Sequence, residues 1–368
     1  MHIEIISNID QFLSLRDSWN QLLSNDDQQT LPLTHDWVTQ WWLCFGNGHQ
    51  LNVRCIYQDT ELLAIAPFMK TRMAYRGINC SVVKLMANGH SPFSSIITRP
   101  DTTPNQLSAI LDLLLKSFSS DILIFGKISR NCEVYSSLTS EPRAFGLRYG
   151  ISESLATPKF DINGDWLTFY KSRRRNFRKG TTNKVNKFNN NEDLSIIREL
   201  ITTVDHPVLL EMVEVSKRSW KSRIKNDLGS NLAGRNFLLG LVRTFGATGN
   251  ISLWIARDKD RAIAFEFHLI YNNTVYPLRA DFDESYKRVS PGSVLEYTAI
   301  KTLFDEGKTK EYYSCGDNYE YLRNWTNEVK EHANVEIFAN SWKSAGLHAF
   351  EYRLIPILRT FRDYLKRF

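Results

Sequence analysis

The stretch from Thr274 to Trp325, TVYPLRADFDESYKRVSPGSVLEYTAIKTLFDEGKTKEYYSCGDNYEYLRNW, constrains the fold most, because it reads as strand, polar turn, Ser-Pro-Gly-Ser, helix and strand. That order builds an anion site. Ser290 is expected to cap the helix, and Pro291 suits its first position because it has no N–H to leave unpaired. Gly292 lacks the side chain that would hold a ligand away from the backbone amides, so a phosphate fits where free N–H groups and the positive end of the helix dipole converge. Leu295, Ala299 and Leu303, with Ile300 and Phe304, form an apolar stripe at helical spacing, and Gly307 supplies a stop. A well-capped α/β helix without a ligand would use the same residues.

With 368 residues, 42% hydrophobic and 23% charged, the chain is long enough for two domains with sizeable cores. No apolar run reaches bilayer length, and the start, MHIEIISNIDQF, lacks a basic region followed by an apolar stretch, so the expected location is the cytoplasm. Cys44, Cys55, Cys80, Cys132 and Cys315 are odd in number and include no Cys-x-x-Cys pair, which argues against a disulfide framework and a zinc site; no metal is expected. The net charge is +6, yet Lys171 to Lys187 alone holds eight basic residues and no acidic one, so the remainder stands at −2. A local anion patch fits that distribution better than a polyanion-binding surface, and DNA is not an expected partner.

Along the chain, residues 9–24 and 34–45 read as helices, Val53 to Tyr57 and Leu62 to Met69 as a hairpin around Asp59-Thr60, Leu107 to Phe118 as an amphipathic helix, and Asp121 to Ile128 as a buried strand. A basic helix near Gly164 opens a second part, followed by helices at about 206–220 and 233–245 and a strand-rich block from Ile251 to Asp281. LAIAPF after the Asp59 turn is echoed by AIAFEF after the Asp258 turn.

The run Asp283, Tyr286, Ser290, Pro291, Gly292, Leu295, followed by Gly316-Asp317, Tyr321 and Trp325, resembles the C-terminal half of the CelD/BcsL-type acetyltransferases of the GNAT superfamily. FYKSRRRNFRKG (Phe169 to Gly180) is similar to the basic helix of that half, and HDWVTQWWLCFG (His35 to Gly46) and LLAIAPF (Leu62 to Phe68) to the family's N-terminal helix and strand. Leu322 stands where the family usually has a lysine after the tyrosine, and Ser91, Pro92 and Phe93 stand where many relatives carry an Asp. The resemblance implies an α/β fold of tandem GNAT-like units with mixed sheets flanked by helices: residues 1–160 on the acceptor side, 161–345 with an acyl-CoA site, and a C-terminal amphipathic helix over 346–368. It also implies an acyltransferase that moves an acetyl or other acyl group from acyl-CoA to an amine of a small-molecule or sugar-precursor acceptor, in keeping with the family's ties to polysaccharide biosynthesis. The alternatives are a FemAB-like transferase using aminoacyl-tRNA, and a non-catalytic GNAT scaffold on an anionic surface.

By that resemblance Val275 to Asp281 is the strand along the donor's pantetheine arm, and Arg288, Ser290, Gly292 and Ser293 contact the pyrophosphate. Acyl transfer also needs a proton route and a group that stabilises the oxyanion or protonates the leaving thiolate. Glu266 and His268 share one strand face, where two ionisable groups are costly unless paired or functional; Glu266 is a candidate base, or else an ion-pair partner of Arg279. Asp281, Asp283 and Asp317 lie just past strand ends, where open sheets place ligands, although Asp283 suits a turn equally. Tyr286 and Tyr321 are candidate proton donors to the thiolate, and Arg174, Arg178 and Asp317 the expected substrate contacts. Cys315 reads as a small residue at a strand end rather than a nucleophile. Ile355, Leu358, Phe361 and Leu365 alternate with Arg359, Arg362, Lys366 and Arg367, a pattern that suits either a packed terminal helix or an anionic membrane surface.

Overall fold

The structure, a computed structural model, describes residues 1–23, 30–140 and 147–365, with the side chains of 361 and 363–365 left aside. The chain divides into two compact units, residues 1–155 with 331–368, and residues 156–330.

The first unit opens with β1 (His2–Ile6), α1 (Ile9–Ser14) and α2 (Arg16–Leu22). The single helix expected over 9–24 is thus two, broken where Leu15 N–H bonds back to the Phe12 carbonyl in a tight turn. Thr34 caps α3 (His35–Phe45) by accepting from Trp37 N–H. β2 (Gln50–Gln58) and β3 (Glu61–Tyr75) form the expected hairpin, with Asp59 in the left-handed region at φ 54°. Then come β4 (Ile78–Leu85), β5 (Ile97–Thr98), α4 (Pro104–Ser117), β6 (Ile122–Ser129), α5 (Glu133–Ser140) and β7 (Arg148–Asp161). α4 carries a capping box between Thr103 and Gln106, and its Leu107, Ile110, Leu111 and Leu114 pack with Phe68, Leu123 and Phe125 of the sheet. Each such burial stabilises by about 1.5–3 kcal/mol.

The second unit adds α6 (Trp166–Lys171), α7 (Arg175–Asn189), β8 (Leu194–Leu200), α8 (Val208–Lys217), α9 (Leu232–Phe245), β9 (Ile251–Asp258), β10 (Arg261–Tyr271), β11 (Thr274–Phe282), α10 (Pro291–Glu306), β12 (Glu311–Tyr313) and α11 (Glu320–Arg323). Its strands run in the order β7-β12-β11-β10-β9-β8, antiparallel except for β12 against β11. Phe188 of α7 and Leu295 and Ala299 of α10 cluster with Trp254 and Ala264 of the strands, so these two helices cover one face. The basic segment is not one helix. It breaks at Ser172–Arg174, because Arg173 lies over the Phe169 ring at 4.5 Å and donates to the Trp325 carbonyl, a tertiary hold that local sequence does not encode.

The chain then returns through β13 (Val329–Phe338), which pairs antiparallel with β6, to α12 (Trp342–Ala349) and α13 (Ile355–Leu365). Residues from 331 onward therefore fall with the first unit, whereas the sequence assigned 161–345 to the second. Lys366 and Arg367 lie outside the described residues.

Candidate functional site

β11 parts from β12 early. They pair only at Thr274 with Glu311 and Val275 with Tyr312, while the other edge of β11 stays paired with β10 as far as Phe282. A 3-10 turn over Glu284–Val289 then delivers the chain to α10. Pro291 sits at the helix start and Gly307 ends it at φ 61°, as the sequence indicates, and all five stripe residues are buried. Ser290 does not cap: its backbone is left-handed, φ 52° and ψ 48°, instead of the extended form that turns a capping hydroxyl onto the first amides, and its side chain makes no cap bond. The first-turn amides of α10 thus lack the expected serine cap. A Cβ on Gly292 would meet only Phe282 Cδ1, at 3.6 Å, so packing does not demand glycine here.

Cations surround this helix start. Lys184 Nζ donates to Ser293 Oγ at 3.1 Å, Lys187 Nζ donates to the Arg288 carbonyl at 3.1 Å, and Arg288 is exposed. Among the described residues no ion pair takes up Lys184, Lys187 or Arg288, and α10 has no acidic side chain in its first turn. Cations at the positive end of a helix dipole are unfavourable, and an anion would relieve both terms. Lys184 also lines an open cleft of ≈ 500 Å³ with Arg174, Arg175, Phe177, Thr181 and Asn324. Arg178 is turned to local use, donating to the Arg173 carbonyl at 3.1 Å.

Beneath α10 lies a second constellation. Glu266, opposite Trp254 and Ala280, faces α10 with His268, whose Nε2 is 2.9 Å from Glu266 Oε2. Both are buried, and the His268 ring meets Tyr312 edge-on with centroids 6.2 Å apart. Burial drives the Glu266 carboxyl up and His268 down, so the imidazole stays neutral. His268 Nδ1 has no partner, which favours the tautomer with the proton on Nε2: an unpaired acceptor costs less than an unpaired donor.

Glu296 of α10 joins this group. Burial pushes its carboxyl up, the charge of Glu266 adds to the shift, and the Trp325 indole and Lys184 oppose it. The Tyr321 hydroxyl is raised by burial and then by Glu296 and Glu266, although the residue as a whole is 57% exposed. The cluster therefore runs from a sealed imidazole to a partly exposed tyrosine. Sequence reasoning passed over Glu296; its signal was a carboxylate on the apolar stripe, three residues before Ala299 and four before Ile300.

The other candidates sit elsewhere. Arg279 does not pair with Glu266: it stands opposite Phe267, on the other face, and its Nε donates to Asp281 Oδ2 at 2.8 Å. Asp281 also accepts from Ser216 Oγ at 2.6 Å and pairs with Lys221 Nζ at 2.5 Å, beside α8. Asp283 takes Arg218 at 2.6 Å and Arg261 at 2.9 Å and caps the turn through Ser285; burial raises its carboxyl, but these bonds win and hold it below the usual range. The Tyr286 hydroxyl donates to Asp258 at 2.8 Å. Asp317 turns the chain, accepting from Asn318 N–H at 2.8 Å. Cys315 is half-buried at φ 56°. Among the described residues no group of three or more His, Cys, Asp or Glu could hold a metal ion.

Residues 175–323 match the model of the family described as acetyltransferase (GNAT) domain. No curated protein matches the chain. Among solved structures, FemX is similar at 12% identity and TM-score 0.55, covering 92% of this chain and 98% of that one. The C-terminal domain of a putative lysylphosphatidylglycerol synthetase from Agrobacterium fabrum gives 9% identity and TM-score 0.54, with 92% and 95% covered. A tandem GNAT protein from the clavulanic acid biosynthesis pathway gives 9% identity and TM-score 0.51, with 92% and 100% covered. The fold is thus a tandem GNAT fold, and the match to the acetyltransferase domain falls within the second unit.

Proposed function

We propose that this protein is an N-acyltransferase that uses acyl-CoA as donor, with the donor site in the second unit. The observation that carries this reading is the parting of β11 from β12 just ahead of a helix start ringed by cations that no described carboxylate pairs. An exposed strand edge can hydrogen-bond the amide-bearing pantetheine arm, and the start of α10 can take the pyrophosphate. Gly292 and the amides around Ser290 and Ser293 approach the phosphates, while Lys184, Lys187 and Arg288 supply charge. Arg174 and Arg175 serve a further phosphate on donor or acceptor.

Acyl-CoA supplies an activated thioester; the protein's share is position and proton transfer. In its ionised form Glu266, held by His268, accepts the proton of the attacking amine as nitrogen bonds to the acyl carbon, and releases it to solvent once the product leaves. Tyr321 gives a proton to the thiolate sulfur as the carbon–sulfur bond breaks and recovers one from solvent. The motifs shared with CelD/BcsL-type proteins support an acceptor among sugar precursors or other small amines. Hydrogen exchange on the full chain with and without CoA tests the placement: amides of residues 276–282 and 290–296 are expected to slow. Protection confined to other segments would move the donor elsewhere.

A further inference from the structure

Of the described side chains of α13, none is buried. Leu354, Ile357 and Leu358 follow one another at three- and four-residue spacing on a single stripe, and Ile357 and Leu358 are 64% and 53% exposed. Phe350, a turn earlier, is exposed too, and Trp342 at the start of α12 is 90% exposed. Arg353 and Arg362 fall on the two flanks of the stripe and Arg359 lies further round. An eleven-residue helix is marginal in water by itself, so its exposed apolar stripe would gain from a cover.

The root of this arm is fixed by side-chain bonds. The Tyr352 hydroxyl donates to Glu336 at 3.1 Å, and Tyr75 donates to the same oxygen at 2.5 Å. The Tyr352 ring occupies the space where a Cβ on Gly150 would sit, so only glycine leaves room for it. Glu351 is tied to Arg76, Nη2 to Oε1 at 2.6 Å, which neutralises the carboxylate at the root. A π-helical turn over Phe350–Leu354 then absorbs Pro356, which has no N–H to continue the ladder. Beyond it, α13 projects an apolar stripe between cations.

We infer that the C-terminal arm, α12 and α13, is an interfacial anchor that docks flat on an anionic lipid bilayer. Leu354, Ile357 and Leu358 enter the acyl boundary, and Arg353, Arg359 and Arg362 meet the headgroups. Charge decides between this occupant and a second copy: a two-fold contact between arms would bring like cations together, whereas an anionic surface complements them. No described helix is long and apolar enough to cross a membrane. The inference is independent of the chemistry proposed for the second unit.

Flotation of the full chain with vesicles tests it, using phosphatidylcholine alone and phosphatidylcholine with about 30% phosphatidylglycerol. Binding is expected only to the second, and it should fall in ~0.5 M salt, where surface charges are screened. The double variant Ile357→Glu, Leu358→Glu should bind about tenfold or more weakly, as should the triple variant Arg353→Gln, Arg359→Gln, Arg362→Gln. Ile357, Leu358, Arg353 and Arg359 are exposed, so circular dichroism should show both variants folded. No binding by the wild-type chain to phosphatidylglycerol vesicles, or binding that the double variant retains in full, would overturn the proposal. So would a dimer in light scattering that the double variant dissolves, because the cover would then be a second copy.

Discussion

Glu266 and Glu296 are both pushed towards the neutral acid, so the fold holds protons there that the unfolded chain would release. A carboxyl raised above its ordinary value of 4.5 contributes fully to stability below that pH and loses the contribution as pH rises through the raised value. Urea unfolding of Glu266→Gln should therefore show a flatter decline in stability from acid to alkaline pH than the wild type, since glutamine keeps the shape and a hydrogen bond to His268 without titrating. On a responsive amine acceptor the same variant should lose about 10²-fold in kcat with acyl-CoA affinity retained. Equal pH slopes together with normal turnover would reduce Glu266 to a structural partner of His268. This site was half legible in the sequence. Glu266 and His268 announced themselves by sharing a strand face, whereas Asp281 looked equally exposed to ligand until Arg279, Lys221 and Ser216 were seen to hold it on the opposite side of the sheet.

Among the elements, α10 was the easiest to read and shows why. Its stripe, its proline start and its glycine stop are all local signals, and each needs only one turn of chain to act. The stop can be tested alone: Gly307 has φ 61°, and no atom lies within 4 Å of where a methyl group would sit, so Gly307→Ala costs backbone strain with no clash. Chemical denaturation should show a loss of about 1–2 kcal/mol. An unchanged midpoint would mean the helix end readily adopts another cap. The break between α6 and α7 was not legible, because FYKSRRRNFRKG contains no breaker before Gly180 and the break depends on Arg173 reaching Trp325, 152 positions away. Ser290 misled for a related reason: the residue type suits a cap, and only the backbone angle shows that the hydroxyl is not used as one.

On the scale of the whole chain, the echo between the Asp59 and Asp258 turns corresponds to two hairpins, β2–β3 and β9–β10, each turning through a left-handed residue, Asp59 at φ 54° and Lys259 at φ 51°. That repeat was readable because strand alternation and turn chemistry are local. The return of β13 to β6 was not, since a pairing between residues some two hundred positions apart leaves no periodic trace in either segment. The central claim is that the second unit binds acyl-CoA at the start of α10. Calorimetric titration of acetyl-CoA into the wild-type chain and into Gly292→Val, with charged tRNA as the competing ligand, tests it most directly. The account predicts a saturable heat with acetyl-CoA in the wild type and its loss in a folded Gly292→Val, because a branched side chain takes the phosphate position while packing there tolerates a Cβ. Acetyl-CoA affinity unchanged by Gly292→Val, or heat from charged tRNA alone, would contradict it.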